Sequence, residues 1–180
     1  LEVDVRIALK SRIRNVVLEG ADCVGKSTVA GILTRHTSTF SRIIHVSNPK
    51  NESDGREVFT NLASKMNAGS GIVFDRAQVG ERVYAPIMRG YYPDYMDELD
   101  ERIDGSTLFV LLVASERALI ERWDGKFVKD EEQLLGVQDR FFTEFVRAPL
   151  ESKMIVDTTI LSPDLVARNI AEAAGARRLA

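Results

Sequence analysis

The sequence holds one cysteine, Cys23, in 180 residues, so an internal disulfide and a multi-cysteine zinc site are excluded. Such sparing use is compatible with a reducing compartment. Histidine is nearly as scarce. His36 and His45 stand alone, without metal-ligand spacing to each other or to Cys23, and both read as structural. The longest apolar run, 108–114, is far too short to span a bilayer. No charged-then-apolar leader opens the sequence, and the expected location is the cytoplasm. Neither sign of charge dominates. Twenty-four basic residues oppose 27 acidic ones, for a net −3, which argues against a general nucleic-acid-coating surface but not against a local basic pocket. No repeat, low-complexity tract or linker divides the chain, and its length suits a single domain, 1–180, with one sizeable core.

The most informative stretch is Gly20-Ala21-Asp22-Cys23-Val24-Gly25-Lys26-Ser27-Thr28, which fits G-x-x-x-x-G-K-[S/T]. An apolar run at 15–19 leads into it, as a buried strand would, and residues 27–33 continue in helical register. In that context the backbone N–H groups of the loop and the start of the helix form a cradle for phosphate. Lys26 can reach the β- and γ-phosphates, and the Ser27 hydroxyl can ligate Mg²⁺. The expected ligands are therefore ATP and Mg²⁺, with the nine residues Gly20, Ala21, Asp22, Cys23, Val24, Gly25, Lys26, Ser27 and Thr28 around the nucleotide.

Further strands are predicted at 42–46, 72–75, 107–113 and 153–156, alternating with helices. The first helix ends near His36. Asp54 and Glu57 form a capping pair for the second. The third covers 81–89 and should kink at Pro86. Pro93 opens a short acidic helix. Ser115 caps the next, Asp130 with Gln133 caps a long one, and Ser162-Pro163-Asp164 starts the last. Residues 1–9 alternate apolar and polar, as a strand or a loosely packed arm would, and 1–14 is treated as an N-terminal arm. Strand–helix alternation predicts a three-layer α/β/α P-loop NTPase fold with a five-stranded parallel sheet, its ligand outside the carboxyl ends of the strands.

Asp22 is an acid inside a phosphate cradle, which is unfavourable unless it bonds an acceptor hydroxyl or pairs with an arginine. Asp75-Arg76 follows the third strand directly. Asp75 can ligate or position Mg²⁺, or accept the acceptor's proton, and Arg76 offers a planar fork for a phosphate. Glu81, Arg82, Tyr84 and Arg89 share one short helix whose spacing could make a pocket wall. Tyr91, Tyr92 and Tyr95 form an aromatic cluster that reads as packing. Arg117, Arg122, Lys126 and Lys129 surround Trp123-Asp124-Gly125, where the absence of apolar periodicity suggests a mobile lid over about 122–130.

Glu19-Gly20-x-Asp22-x-x-Gly25-Lys26-Ser27-Thr28 together with Asp75-Arg76 resembles the thymidylate kinase family of nucleoside monophosphate kinases. The stretch Asp75-Arg76-x₄-Glu81-x-Val83-Tyr84-x-Pro86-x₂-Arg89-Gly90 looks most like the smaller, often viral members, for which the location would be host cytoplasm. By that resemblance Lys26 and Ser27 serve ATP and Mg²⁺. Arg76 would hold the acceptor's phosphate, and Asp22 would face the acceptor sugar or an arginine bound to it. Cys23 stands where some members carry an arginine; by the resemblance, members without it draw a catalytic cation from the lid, which makes Arg122 the first candidate and Lys126 the second. The sequence also departs from the family. The interval between phosphate loop and Asp75-Arg76 has room for one helix instead of several, and Asn48-Pro49-Lys50 stands where an arginine-containing loop is expected.

The expected function is ATP- and Mg²⁺-dependent transfer to a deoxynucleoside monophosphate, a pyrimidine by preference. Lys26, Asp75, Arg76, Arg122 and Lys126 are the catalytic candidates; Asp22, Arg76, Glu81, Tyr84 and Arg89 bind the acceptor; Ser27 and Asp75 hold the metal. The rival within kinases is a nucleoside hydroxyl, free or in DNA. A regulatory or non-catalytic nucleotide-binding module is the rival from another class, though the chain has no guanine-reading Asn-Lys-x-Asp. The expected partners are small-molecule nucleotides, without a stable nucleic-acid or membrane partner; a homodimer is left open.

Overall fold

The computed structural model describes residues 12–46, 48–126 and 128–177; the alternating stretch 1–9 lies outside them. Strands and helices alternate as β1 (Asn15–Glu19), α1 (Lys26–His36), β2 (Arg42–His45), α2 (Glu52–Ala68), β3 (Ile72–Asp75), α3 (Gln78–Arg89), α4 (Met96–Glu101), β4 (Thr107–Val113), α5 (Glu116–Arg122), α6 (Glu131–Arg147), β5 (Lys153–Asp157) and α7 (Pro163–Ala173). The five strands form one parallel sheet in the order β2-β3-β1-β4-β5. Helices cover both faces, with α1 against α7 and α3 against α6, giving three α/β/α layers.

The sheet explains its own sequence. A parallel strand covered on both faces has no solvent side, so its residues must be apolar without alternation. Val16, Val17 and Leu18 of β1, Phe74 of β3 and Leu111 of β4 accordingly lie within the core. The polar start of β1 is accounted for by bonding. The Asn15 amide donates to Met66 O at 2.9 Å and Gly69 O at 3.1 Å and accepts from Ile72 N–H at 3.2 Å, which ties β1 to the α2–β3 turn. Register then sets the site: β1–β3 pairing puts Leu18 beside Asp75, and β2–β3 pairing puts His45 on its other side. Among the described residues no helix is long and apolar enough to cross a membrane.

Two helices start earlier than the sequence suggests. The N-cap of α2 is Asn51, whose side chain accepts from Asp54 N–H at 3.0 Å, while Asp54 accepts from Lys50 N–H at 2.7 Å. The reciprocal cap therefore sits one turn ahead of the expected Asp54–Glu57 pair. α3 begins at Gln78 rather than Glu81 and runs as one helix through Pro86 to Arg89, where Gly90 takes the left-handed conformation at φ 74° and ends it.

Candidate active site

The loop from Gly20 to Gly25 joins β1 to α1 and is shaped by its backbone. Gly20 has φ 138°, and a Cβ there would lie 2.4 Å from Leu112 O of the neighbouring strand, so only glycine fits. Gly25 has φ 94° and precedes α1, yet a Cβ there would meet nothing within 4 Å: the loop opens onto free space at the helix start. No side chain caps α1, and its ladder begins with Val29 N–H donating to Gly25 O. The amides of Lys26, Ser27 and Thr28 thus precede the first helical bond and are donors for an anion. Ala21 and Val24 are buried beneath the loop, whereas Cys23, at φ 67°, and Thr28 line the cavity above it.

That cavity measures about 620 Å³ and lies at the carboxyl edge of β1, β2 and β3. Lys26, Ser27, Asp75, Arg76, Tyr84 and Asp124 are among its lining residues. Lys26 is 6 % exposed, and its Nζ donates to Gly20 O at 2.9 Å and to Ala21 O. Burial, with the Arg76 charge nearby, pulls the ammonium down to about 8 against the pull of Asp22, Asp75 and Glu19. Ser27 Oγ donates to Asp75 Oδ2 at 2.8 Å. These two oxygen ligands beside the phosphate cradle fit a hard cation that takes its remaining ligands from phosphate and water. Among the described residues no three His, Cys, Asp or Glu side chains gather into a separate metal site.

His45 was not expected here. Its Nδ1 lies 3.0 Å from the same Asp75 oxygen, and it lines the cavity. Its role as a site residue has no local signal, because the β2–β3 pairing alone brings it to Asp75.

Arg76 and Asp22 are brought together, which selects an arginine from the two partners the sequence left open for that acid. Arg76 Nη2 donates to Asp22 Oδ1, and Tyr84 Oη donates to Asp22 Oδ2 at 3.2 Å. The guanidinium lies over the Tyr84 ring, 5.0 Å from its centroid, and the same ring meets Phe141 in a T-shaped arrangement with centroids 5.6 Å apart. Burial pushes the Tyr84 phenol up, so it stays a neutral donor to Asp22. Arg76 itself has φ 70°, a left-handed backbone that costs a non-glycine residue about 1–3 kcal/mol and persists only when its surroundings enforce it.

The remaining candidates from α3 turn away from this cavity. Glu81 is buried and engages Arg89 Nη2 and, at 2.8 Å, Tyr91 Oη. It borders a small adjoining hollow of about 20 Å³, which it shares with Phe59, Arg76, Gly80 and Tyr84. Arg89, spent on Glu81 and stacked 5.6 Å from the Tyr91 centroid, does not line the main cavity. Arg82 reaches α4 instead, at 2.7 Å from Asp97 and from Asp100. The expected one-face wall fails because each of these charges finds a partner within the α3–α4 region.

The expected lid residues part company too. Arg122 ends α5 with its guanidinium on Thr158 O at 2.9 Å, Thr159 O at 3.0 Å and Thr158 Oγ1 at 3.3 Å. It anchors the loop after β5 rather than facing the cavity. Lys126 is exposed and pairs with Asp124 at 2.9 Å, and Asp124 does line the cavity.

No protein-family model matches the sequence, and no curated protein does. Solved structures do. YorR from Bacillus subtilis, in complex with phosphorylated GDP, is similar at a TM-score of 0.75 and 22% identity, over 89% of this chain and 95% of that one. Thymidylate kinase from Candida albicans is similar at 0.59 and 17% identity, over 94% and 99%. Shikimate kinase from Acinetobacter baumannii, in complex with shikimate, is similar at 0.58 and 14% identity, over 89% and 92%. Likeness at these identities speaks for architecture, and the architecture of this chain is the three-layer α/β/α fold that P-loop kinases share.

Proposed function

We propose that the protein is an ATP- and Mg²⁺-dependent kinase that transfers the γ-phosphoryl group to a deoxynucleoside monophosphate, with a pyrimidine base preferred. The observation that carries this reading is that Arg76, a guanidinium fork, borders the same cavity as Lys26 and Ser27 and is paired to Asp22 of the phosphate loop itself. Donor cradle and acceptor cation are thereby fixed to one another. Only one Arg76–Asp22 bond is formed, so the fork keeps N–H donors for an acceptor phosphate. An acceptor phosphate oxygen forms the new bond to the γ-phosphorus as the bond to the β–γ bridging oxygen breaks. The protein's part is to align the two and neutralise their charge. Lys26 serves the β- and γ-oxygens. Ser27 and Asp75 would hold Mg²⁺, which when bound supplies further charge neutralisation. The pyrimidine preference is supported by the resemblance to thymidylate kinases in the Asp75-Arg76 stretch and in fold.

The test separates acceptor types through Arg76. Arg76→Ala should damage monophosphate use far more than ATP affinity, and Arg76→Lys should rescue it only in part, because an ammonium lacks the planar fork. Rates measured against acceptor and ATP concentration, for nucleosides, monophosphates and oligonucleotides, decide it. Equal damage to both substrates, or preference for an unphosphorylated hydroxyl, overturns the monophosphate assignment.

The lid supplies a second expected result. Arg122 is committed to Thr158 and Thr159, so Lys126 takes the role of the cation that reaches the transferring group when the lid closes. Lys126→Ala should lower kcat more than it weakens nucleotide binding, because the contact strengthens in the transition state. Arg122→Ala should instead lower thermal stability. A Lys126 variant with wild-type kcat would make the segment a solvated turn.

A further inference from the structure

We infer that Glu19 is a positioning residue for the acceptor: it holds Arg76 in its left-handed turn and so aims the guanidinium into the cavity. The inference rests on the reading of Arg76 given above.

Glu19 ends β1, is fully buried, and lies outside G-x-x-x-x-G-K-[S/T]. A carboxylate in a sheet interior is costly unless every oxygen is satisfied. Here Oε1 accepts from Ala77 N–H and Val79 N–H, both at 3.0 Å, and Oε2 accepts from Gly80 N–H at 3.1 Å. These are the N–H of the α3 N-cap residue, Ala77, and those of the second and third helical residues; Ala77 itself offers no side-chain acceptor. Glu19 thus does from the neighbouring strand what a local serine or aspartate does for other helices. Even with these bonds, and with the Arg76 and Lys26 charges in its favour, burial lifts the carboxyl to about 7, so the site is demanding of its occupant.

The consequence falls on Arg76. Its own N–H donates to Leu18 O at 3.0 Å, and the next N–H, that of Ala77, donates to Glu19 Oε1. Two successive residues of β1 therefore clamp the two peptides that flank a strained residue. With both ends fixed, the left-handed backbone is over-determined, and the side chain leaves toward Asp22 and the Tyr84 face. Gly80 completes the device. A Cβ at that position would come 3.3 Å from Glu19 Oε2, tight enough to press the carboxylate back from the amide by a few tenths of an ångström.

A purely structural helix cap would affect folding alone; a positioning residue acts through Arg76. Glu19→Gln keeps the shape but turns an NH₂ toward a backbone N–H, so at least one of the three bonds is lost. The expected result is a folded protein with a lower melting temperature, whose acceptor kcat/KM falls roughly tenfold or more, the effect of one charge-assisted bond. Nucleotide affinity should stay within about threefold, since the phosphate loop keeps its own bonds. In an Arg76→Ala background the same substitution should lower acceptor use no further. Gly80→Ala, which presses on Oε2 without removing its charge, should give the same pattern in milder form and decides the matter if Glu19→Gln does not fold. Equal losses with and without Arg76, losses shared by ATP affinity, or unchanged acceptor use overturn the inference. If Arg76→Ala alone spares the acceptor, it is the monophosphate assignment that fails; if it harms the acceptor and the Glu19 effect merely adds, only this inference fails.

Discussion

Lys26→Ala is expected to abolish nearly all phosphoryl transfer while the protein remains folded. The side chain starts within α1, at the end of the phosphate loop, and its ammonium is buried against two loop carbonyls. A charge kept there at a cost, with its pKa drawn down to about 8 by burial, is already desolvated and in place when negative charge gathers on the γ-oxygens. Among the described residues no other lysine lines the cavity. The loss should be about 3–5 kcal/mol of transition-state stabilisation, in line with other preorganised electrostatic groups. Two opposed terms keep the fold near its original stability. The Gly20 and Ala21 carbonyls lose a donor, at about 1–3 kcal/mol, while the penalty of burying an ammonium disappears. Single-turnover rates with circular dichroism alongside check both halves. Turnover within about threefold of wild type, under ~1 kcal/mol, would sink the assignment of the loop.

The sheet was legible because each strand signals itself locally. Apolar runs without alternation mark strands covered on both faces, and three of them, β1, β3 and β4, have the limits the sequence suggests. Local caps were legible for the same reason: Ser115, Asp130 and Ser162 each accept a bond from an amide three residues on. What escaped was fixed by partners distant in sequence. The start of α3 is capped by Glu19, 58 residues from Ala77, so no nearby residue announces it. His45 reads as an isolated histidine until β2 pairs with β3. Spacing suggested one face shared by Arg82 with Arg89 and by Glu81 with Tyr84, but spacing carries no information on what lies opposite: Glu81 takes Arg89 and Tyr91, Arg82 reaches α4, and Tyr84 turns to Asp22. For Asp22, charge balance made an arginine one of two expected partners, beside an acceptor hydroxyl; that the arginine is Arg76 was not legible, because the β1–β3 pairing brings the two loops together.

Arg82→Ala should be the most destabilising of the arginine replacements on α3, and its cost should grow with pH. Arg82 is 3 % exposed and joins α3 to α4 through Asp97 and through Asp100, itself 1 % exposed. The Asp100 carboxylate sits 2.7 Å from the guanidinium without well-aligned hydrogen bonds, so Arg82 is its main compensation, with a smaller pull from the Lys153 charge. Burial has raised the Asp100 pKa from 3.8 to about 6 even with that cation opposing. Removing the arginine leaves a buried carboxylate without a partner, a change that costs about 3–5 kcal/mol. A raised folded-state pKa means that protonation favours folding: the contribution is complete below the unfolded value and is lost as pH climbs through the folded one. Without Arg82 that folded value rises further, so the deficit against wild type should be smaller near about pH 5 and larger near about pH 8. Chemical denaturation at both pH values measures it. Arg82→Met with Asp100→Leu should recover most of the loss, because an apolar pair of similar volume leaves no charge to satisfy. Acceptor KM should stay close to wild type in that double variant, since neither side chain lines the cavity. A deficit independent of pH would show that Asp100 is not the group left stranded; an acceptor KM that rises with full stability restored would return Arg82 to the pocket wall.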